Sequence, residues 1–460
     1  MNVAHPEIPE RSLSAGTASR RHSSDGSGVF WLLAGLLILI TTVPLPNSGL
    51  WLGAKAFAVE AVAIVLAVLV VSGTHWTRAR VIAAATAAPN VAIAAFLLWV
   101  GVSAARSDLP ELSRYEGMRY LGGGLIYFSV VYGFSVRRHL GKLVAVLLLV
   151  ASLAALLAFM TTADGQLDRL SGALRNEQLL AGFLCLSLPV ILVVSQMDEE
   201  PWRRHAGQAA AVIVIAGVLV CKNRSAWLGS LVGLLVLGIL YVRYTRRGKP
   251  LTFGRHLLLL PIATIALAGT LVFVVSRMEG GLTRRAITLS QLGSDASFQW
   301  RLAMWNKCLR MANDRPVAGW GIGTYPVQQA LYYHPDAPSR SQRDIVKSGP
   351  RLTEDAHNLY LQLAAEIGYG GLALYLAVLG CFFFTALRAL GNLRPGFRHA
   401  ILVGTVASIA SQMVAAIGTP AWEFPECSLF FWLILAIGMT AAGLGNRGRE
   451  IGPTARSVQQ

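Results

Sequence analysis

The chain has 460 residues, of which 54% are hydrophobic and only 14% are charged, whereas soluble domains carry about 25% charged residues. Apolar runs of about 18 residues or more recur along it, which excludes an ordinary soluble domain and indicates a polytopic membrane protein. The net charge of +16 is spread over many loops rather than one face, which argues against nucleic-acid binding. Alternating strands are absent from the pattern, so the expected fold class is all-α.

The N-terminal region is polar. Residues 1–28 are rich in Ser and Arg and are predicted to form a disordered cytoplasmic tail. The first apolar run occupies residues 29–43. We predict an uncleaved transmembrane helix there, because no clear small-x-small cleavage site follows; a cleaved signal peptide is the alternative.

Further apolar segments bring the expected total to about twelve transmembrane helices. The predicted organisation is helices 1–9 within residues 29–276, one large periplasmic loop over residues 277–356, helices 10–12 within residues 357–444, and a cytoplasmic tail over residues 445–460. After the first helix, the spans are predicted approximately at residues 50–72, 81–105, 120–134, 143–161, 179–197, 209–221, 226–241, 256–276, 358–387, 400–417 and 428–444.

The distribution of Lys and Arg orients the helices. With the N-terminus in the cytoplasm, the strongly basic segments, such as residues 243–255 and the tail with Arg447 and Arg449, fall on the cytoplasmic side. The short opposite loops hold far fewer basic residues. The excess positive charge then reflects topology and contact with anionic lipids.

The few basic residues on the predicted outer side are candidates for binding an anion. Arg175, Lys222 and Arg224 lie at helix ends, and Arg301 lies in the large loop. A guanidinium binds phosphate through two parallel hydrogen bonds and stays protonated. For each Arg taken alone, the alternative is a side chain that snorkels or stabilises a loop. The segment from Lys222 to Ser225 is either a short turn at the membrane surface or a break inside a helix.

His357 lies at the start of an apolar helix and is the candidate general base, since imidazole titrates near neutral pH. Asn358, Gln362 and Glu366 recur every four positions, so they share one helix face and are expected to face the bundle interior. The alternatives are a capping or packing histidine, Asp355 as an N-cap, and a hydrogen-bonded seam between helices.

The glycine-rich run Gly319-Trp-Gly-Ile-Gly323 is not a dinucleotide fingerprint. It follows no strand, and it lies on the wrong side of the membrane for cytosolic nucleotides. We predict a tight turn that lets Trp320 and Tyr325 pack at the membrane interface.

Together these motifs resemble the O-antigen ligase and polymerase superfamily of bacterial envelopes. The resemblance is carried by Arg301-x3-Trp305, by Pro316-x2-Gly-Trp-Gly-Ile-Gly-Thr324 and by His357-Asn-x3-Gln362-x3-Glu366-x-Gly368-x-x-Gly371. The segment Lys222-Asn-Arg-Ser-Ala-Trp resembles the upstream basic motif, and the segment around Asn176 resembles a helix entrance of that superfamily.

The resemblance implies a type-C-like glycosyltransferase fold in the bacterial inner membrane, with a site that faces the periplasm. It implies a metal-independent, inverting transfer from an undecaprenyl-diphosphate-linked glycan, with lipid A–core as the expected acceptor and no cofactor. Arg224, Arg301 and His357 are the expected catalytic residues. The residues expected to bind the donor pyrophosphate are Arg224, Arg301, Arg175 and Lys222, and those expected to support the site are Asn176, Asn358, Gln362, Glu366, Trp305 and Trp320.

The chemistry of such a transfer agrees with these residue types. The leaving pyrophosphate gains negative charge in the transition state, so fixed cations stabilise it. Many glycosyltransferases use a metal held by an Asp-x-Asp pair, and none lies on the predicted outer side. The five cysteines also lack metal-ligand spacing and are predicted to be packing residues. We therefore expect no metal.

Several functions remain compatible with the sequence. An O-antigen ligase is favoured, and a repeat-unit polymerase or a protein O-oligosaccharyltransferase would use the same chemistry with another acceptor. A polysaccharide transporter or flippase is less favoured, because the two halves show no clear repeat and no broken helices at matching positions.

Overall fold

The computed structural model describes residues 27–42, 49–74, 76–134, 139–161, 177–197, 200–221, 223–246, 296–332, 355–419 and 425–446. Within these ranges the chain forms helices joined by turns, and no strand occurs. The predicted all-α class agrees with this part of the chain. Residues 1–26 and 447–460 of the predicted tails, residues 277–295 and 333–354 of the predicted loop, and the predicted span at residues 256–276 lie outside these ranges.

The helices before the predicted loop are mostly long and apolar. They are α1 (Ser27–Thr42), α2 (Gly49–Gly73), α3 (Arg78–Ala85), α4 (Ala88–Ala105), α5 (Pro110–Gly133), α6 (Leu140–Thr161), α7 (Glu177–Val194), α8 (Pro201–Val220) and α9 (Arg224–Arg246).

The remaining described helices lie within the predicted loop and after it. They are α10 (Ala296–Asp314), the single turn α11 (Tyr325–Gln328), α12 (Leu359–Asn392), α13 (Phe397–Ala415) and α14 (Pro425–Ala441). Short 3₁₀ turns follow α11 and α14 at Gln329–Leu331 and Leu444–Asn446.

Seven helices in the described part are long and apolar enough to cross a membrane: α4, α6, α7, α8, α9, α12 and α13. Shorter apolar stretches lie in α1, α2 and α14. These helices support a polytopic membrane protein. The total of about twelve spans stays a prediction.

The predicted single span at residues 81–105 is wrong, because α3 and α4 are separate helices. Thr86 and Ala87 divide them, and Pro89 lies in the first turn of α4, where a missing N–H is tolerated. The Asn90 side chain donates a hydrogen bond of 2.8 Å to the Ala84 carbonyl and so satisfies a carbonyl at the end of α3. Apolar composition alone did not reveal this break.

The helix predicted from residue 120 begins ten residues earlier, at Pro110. Its first turns are polar, so the apolar run understated its length. Arg119 and Glu116 form a buried ion pair of 2.7 Å there. An ion pair between residues three apart is typical of a helix, and it allows both charges to be buried.

The helix α13 is almost entirely buried and packs against α9 and α7. Glycines allow the close approach: a Cβ on Gly229 of α9 would lie 2.6 Å from the Ser411 carbonyl oxygen, and one on Gly404 would lie 3.0 Å from Val190 Cα. Small residues at such contacts are typical of membrane helix pairs. This packing brings the end of α13 to the beginning of α9.

The helix α12 is interrupted at Gly368, which has φ 72° and ψ 174°. The interruption leaves backbone carbonyls without helical partners, and such buried groups need other donors. The Trp99 indole of α4 donates to the Ile367 carbonyl at 2.9 Å, and the Tyr369 N–H donates to the Pro316 carbonyl at 2.8 Å. The break therefore joins α12 to both α4 and the segment after α10.

Candidate active site

A capped helix start positions Arg224. The helix α8 ends at Val220 and α9 begins at Arg224, so Arg224 is the first residue of a separate helix. The Asn223 side chain is buried, and its Oδ1 accepts a hydrogen bond from the Ala226 N–H at 3.0 Å. This N-cap satisfies one backbone donor at the start of α9. The Trp227 indole N–H donates to the Val218 carbonyl at 3.0 Å and joins the first turn of α9 to the end of α8.

Arg301 of α10 lies next to the start of α9. A Cβ built on Gly418 would overlap the Ser225 Oγ and would lie 3.2 Å from the Arg301 Nη1. The hydroxyl of Thr419 lies 3.4 Å from the Asn223 Oδ1. The beginning of α9, the end of α13 and the Arg301 guanidinium therefore meet at one place, although they are far apart in the sequence.

His357 occupies a constrained turn before α12. Its φ of 48° is the one positive φ among the described non-glycine residues. Such a conformation costs energy and persists only where the surroundings hold it. The Trp305 indole N–H donates to the Ala356 carbonyl at 3.1 Å, and the Ala356 N–H donates to the Gln362 Oε1 at 3.1 Å. Trp305 and Gln362 thus hold the backbone beside His357.

The His357 ring is mostly buried. It meets the Trp300 ring edge to face, with centroids 5.2 Å apart, and its Nδ1 lies 3.2 Å from the Asp355 Oδ1. Burial, and then the positive charge of Arg301, lower the pKa of His357 from 6.5 to about 4. These effects outweigh the attraction of the Asp355 carboxylate for a proton. The ring is therefore neutral at physiological pH, and Arg301 is close enough to act on it.

Asn358, rather than Asp355, is the N-cap of α12. Its Oδ1 accepts hydrogen bonds from the N–H groups of Tyr360 and Leu361, both at 3.1 Å. The Leu359 N–H donates to the Ala416 carbonyl at 3.0 Å, which ties the start of α12 to the end of α13. The capping possibility for Asp355 is therefore wrong, and His357 is held near the turn that contains Gly418.

Glu366 joins the glycine-rich turn to α12. Its buried carboxylate accepts a hydrogen bond from the Tyr325 N–H at 3.1 Å and lies 3.4 Å from the Gln362 Nε2. Its carbonyl accepts from the Gly321 N–H at 2.8 Å, and the Ala365 carbonyl accepts from the Trp320 N–H at 3.1 Å. Glu366 and the neighbouring Ala365 carbonyl thus hold the glycine-rich turn against α12.

The glycine-rich run is a tight turn, as predicted. Gly319, Gly321 and Gly323 all have positive φ, and a Cβ on Gly319 would overlap the Glu366 carbonyl. Only glycine fits so close an approach without strain. Tyr325 is fully buried in the protein rather than packed at a membrane interface.

Trp320 packs against α10. Its indole N–H donates to the Met311 carbonyl at 3.1 Å, and the Arg315 guanidinium lies 3.9 Å above its ring. Tyr332 meets the same ring at 5.9 Å between centroids. Trp320 therefore stabilises the segment after α10, and its position at the membrane interface stays a prediction.

The remaining predicted site residues, Arg175, Asn176 and Lys222, lie outside the described residues. Three contributors were missed by the sequence reasoning. Asn223 had a signal, because Asn directly before a helix is a preferred cap. Trp300 and Gly418 had none, since their contacts join segments distant in the chain. In the described part, no group of three or more His, Cys, Asp or Glu side chains is arranged to hold a metal ion.

Residues 209–376 match the family model described as O-antigen ligase. The match spans the end of α8, all of α9 and α10, the glycine-rich turn and the first part of α12. It includes Arg224, Arg301 and His357. This match supports membership of the O-antigen ligase superfamily. No curated protein matches the chain.

The match to the O-antigen ligase family supports a glycosyltransferase-like enzyme and suggests substrates that are lipid-linked polysaccharides. The superfamily contains both ligases and polymerases. Together with the apolar helices, it supports a multi-pass membrane protein.

Proposed function

We propose that this chain is an O-antigen ligase, which transfers O-antigen polysaccharide from undecaprenyl diphosphate to lipid A–core. It does so in the inner membrane, with the site facing the periplasm. The observation that carries the proposal is the meeting of Arg301, the start of α9 with Arg224, and the buried neutral His357 beside the end of α13. A phosphate-binding cation and a proton acceptor are the two groups that the transfer needs.

The reaction proceeds in one displacement. The acceptor hydroxyl gives its proton to His357, and its oxygen forms a bond to the anomeric carbon of the glycan. The bond from that carbon to the diphosphate oxygen breaks, and undecaprenyl diphosphate leaves with the electron pair. Attack opposite the leaving group inverts the anomeric centre. The imidazolium then returns its proton to the released diphosphate.

Arg224 and Arg301 bind the pyrophosphate and offset the charge that it gains. Preorganised cations stabilise a transition state without having to reorient during the reaction. The amino-terminal end of α9 adds partial positive charge beside Arg224. Arg175 and Lys222 complete the predicted anion-binding set, and the reaction proceeds without a metal.

The low pKa of His357 suits a base that acts only when the donor is bound. Arg301 lowers the pKa in the described arrangement. A pyrophosphate bound to Arg301 offsets that positive charge and raises the affinity of His357 for a proton. The imidazole is therefore neutral before donor binding and becomes a stronger base once the donor is in place.

The test uses both natural substrates. Cells of the host that lack this chain accumulate the lipid-linked donor and the unmodified lipid A–core, and both are extracted. The purified chain in lipid nanodiscs, without ATP and with EDTA, is expected to form lipid A–core that carries polysaccharide. The His357→Ala variant is the control and is expected to form this product at least about a hundredfold more slowly.

Other products would overturn the assignment. Longer glycan on undecaprenyl diphosphate, with lipid A–core unmodified, would identify a repeat-unit polymerase. Glycan on protein would identify a protein O-oligosaccharyltransferase. Product formation that EDTA abolishes and magnesium or manganese restores would reject the metal-independent mechanism.

A further inference from the structure

Asp355 and His357 lie side by side immediately before α12. Asp355 is 7% exposed, and its Oδ1 accepts a hydrogen bond from the His357 backbone N–H at 2.7 Å. The same oxygen lies 3.2 Å from the His357 Nδ1. That nitrogen is buried and makes no hydrogen bond in this arrangement. Because 3.2 Å is within reach of an N–H···O bond, a change in ring angle is enough to form one.

The contact bears on which ring nitrogen can act as a base. A neutral imidazole carries one proton, and a hydrogen bond made by one nitrogen decides where that proton lies. A carboxylate beside Nδ1 holds the proton there and leaves the lone pair on Nε2. When Nε2 takes up a second proton, the carboxylate stabilises the cation that results.

We propose that Asp355 is the positioning residue of His357: it holds the proton on Nδ1, so that Nε2 accepts the proton of the acceptor hydroxyl, and it stabilises the imidazolium. This inference rests on the proposed function. The proton moves from the hydroxyl to Nε2 while the oxygen bonds to the anomeric carbon and the diphosphate leaves with its electron pair. Asp355 stays ionised throughout and accepts no proton itself.

The competing explanation is a purely structural Asp355. The bond from the His357 N–H closes a local turn of the kind that Asp and Asn both form, and this turn holds His357 at its φ of 48°. An Asn side chain keeps an oxygen for that bond but has no charge. The Asp355→Asn variant therefore retains the turn and removes the carboxylate.

Among the residues that the structure describes, Arg301 and Asp355 are the charged groups with a contact or charge effect on the His357 ring, and they act in opposite directions. Arg301 of α10 disfavours a second proton on the ring, whereas Asp355 favours one. Trp300, also from α10, covers the ring without a charge. Removing the Asp355 carboxylate leaves Arg301 unopposed.

The first experiment reads the ring tautomer without any substrate. The chain, with ¹⁵N-labelled histidine, is studied at neutral pH, and the His357 signals are identified by their loss in His357→Ala. We expect the proton on Nδ1 in the wild type and a shift toward Nε2 in Asp355→Asn. Asp314→Asn is the control: it removes a carboxylate at the end of α10, and its His357 tautomer is expected to match that of the wild type. The same tautomer in the wild type and in Asp355→Asn would overturn the proposal.

The second experiment measures single-turnover transfer with the extracted donor and acceptor. The Asp355→Asn variant is expected to transfer about ten- to a hundredfold more slowly, within the range of general base catalysis. Its affinity for undecaprenyl diphosphate, measured separately, is expected to stay within about twofold, because Asp355 does not act on the pyrophosphate. In a His357→Ala background the same substitution is expected to have no further effect, since Asp355 acts through His357.

The pH profile distinguishes charge from structure. Transfer needs the neutral ring, so its rate rises with pH to a plateau. The Asp355 carboxylate favours the protonated ring, and its removal lowers the pKa of His357. The midpoint of the profile is therefore expected to fall by about one pH unit or more in Asp355→Asn, with a lower plateau. A lower rate with an unchanged midpoint would show that Asp355 is only structural.

Failures of the two proposals are distinguishable. If the wild type forms no product, the proposed function fails, while the tautomer still decides whether Asp355 positions His357. If His357→Ala transfers at the wild-type rate, the base and its positioning residue are both rejected. If Asp355→Asn slows transfer equally with and without His357, only the positioning role is rejected.

Discussion

Gly418 leaves the space that Arg301 and Ser225 occupy at the end of α13. A methyl group at this position would overlap the Ser225 Oγ and crowd the Arg301 Nη1 at 3.2 Å. The absence of a side chain at residue 418 therefore allows the two basic segments to meet. This contact involves neither a charged pair nor a motif, but the proposed anion site depends on it.

The Gly418→Ala variant is expected to lose about tenfold or more in affinity for undecaprenyl diphosphate. The added methyl group displaces the Arg301 guanidinium, and one misplaced charge-assisted contact costs about 1.5–3 kcal/mol. Binding is measured on the purified chain in nanodiscs. Gly380→Ala is the matched control, because a Cβ at Gly380 in α12 meets nothing within 4 Å. Equal affinity in both variants would exclude Gly418 from the site.

The two arginines of the site are expected to differ from His357 in what they control. Arg224→Ala and Arg301→Ala should each weaken undecaprenyl diphosphate binding by about ten- to a hundredfold, because each removes a charge-assisted contact. Lysine should restore little, since an ammonium lacks the two-pronged geometry. His357→Ala should keep binding and lower the transfer rate about a hundredfold or more.

Binding and single-turnover rates on the same preparations check this division. Arg310→Ala, an exposed arginine of α10, is the control for a lost surface charge. Unchanged binding in both Arg224→Ala and Arg301→Ala would remove these arginines from the pyrophosphate site.

At the scale of elements, the break in α12 allows this helix to form hydrogen bonds with the glycine-rich turn of the predicted loop. In a continuous helix, the carbonyls just before Gly368 would accept hydrogen bonds from N–H groups of the same helix. The interruption instead presents the carbonyls of Ala365 and Glu366 to the N–H groups of Trp320 and Gly321. The buried carboxylate of Glu366 accepts from Tyr325 in the same turn. Glu366 therefore connects α12 to this turn through both its carboxylate and its carbonyl.

The Gly368→Ala variant is expected to lower the free energy of unfolding by more than about 1 kcal/mol. Alanine is strained at φ 72°, and its Cβ would overlap the Val317 carbonyl oxygen. Thermal melting in detergent measures the loss. Gly391→Ala, in the same helix but with nothing within 4 Å of its Cβ, should be neutral or slightly stabilising. A higher melting temperature for Gly368→Ala would mean that the break is dispensable.

At the scale of the whole molecule, the prediction concerns orientation. The Lys and Arg distribution places the region after α10 in the periplasm and the start of α8 in the cytoplasm. In intact cells, Leu331→Cys should react with a membrane-impermeant thiol reagent, since this side chain is 70% exposed. Trp202→Cys, at 65% exposed, should react only after the inner membrane is permeabilised. The reverse pattern would invert the topology.

The native cysteines give this measurement a low background. Cys185, Cys221, Cys308 and Cys427 are buried, and Cys381 is partly buried. The wild-type chain, treated in parallel, corrects for any reaction at Cys381.

Much of the architecture followed from local patterns. Long apolar runs have one stable solution in lipid, the helix, because every backbone polar group must be satisfied within it. The closely spaced glycines likewise predicted a tight turn. The apolar pattern gave wrong helix bounds where polar residues belong to a helix, as at the start of α5. It also failed where a helix ends inside an apolar run, as between α3 and α4.

The candidate site was only partly predictable, for a related reason. Arg224 and His357 could be singled out because few charged or titratable residues lie at the predicted outer ends of apolar helices, and Arg301 because it belongs to the motif Arg301-x3-Trp305. Their meeting could not be derived from spacing, because it depends on the packing of α9 against α13 through small residues. The motif also did not reveal that Trp320 and Glu366 make contacts that stabilise the glycine-rich turn and the segment after α10.

The sequence by itself determined that this protein is helical and built for a membrane, and it determined which side chains are chemically able to bind a diphosphate and accept a proton. These properties reside in composition, periodicity and residue chemistry. Only the tertiary structure decided that Arg301 lies beside Gly418 and Ser225, that Asn358 rather than Asp355 caps α12, and that burial keeps His357 neutral. Contacts between distant segments and the desolvation that they cause arise only when the helices pack.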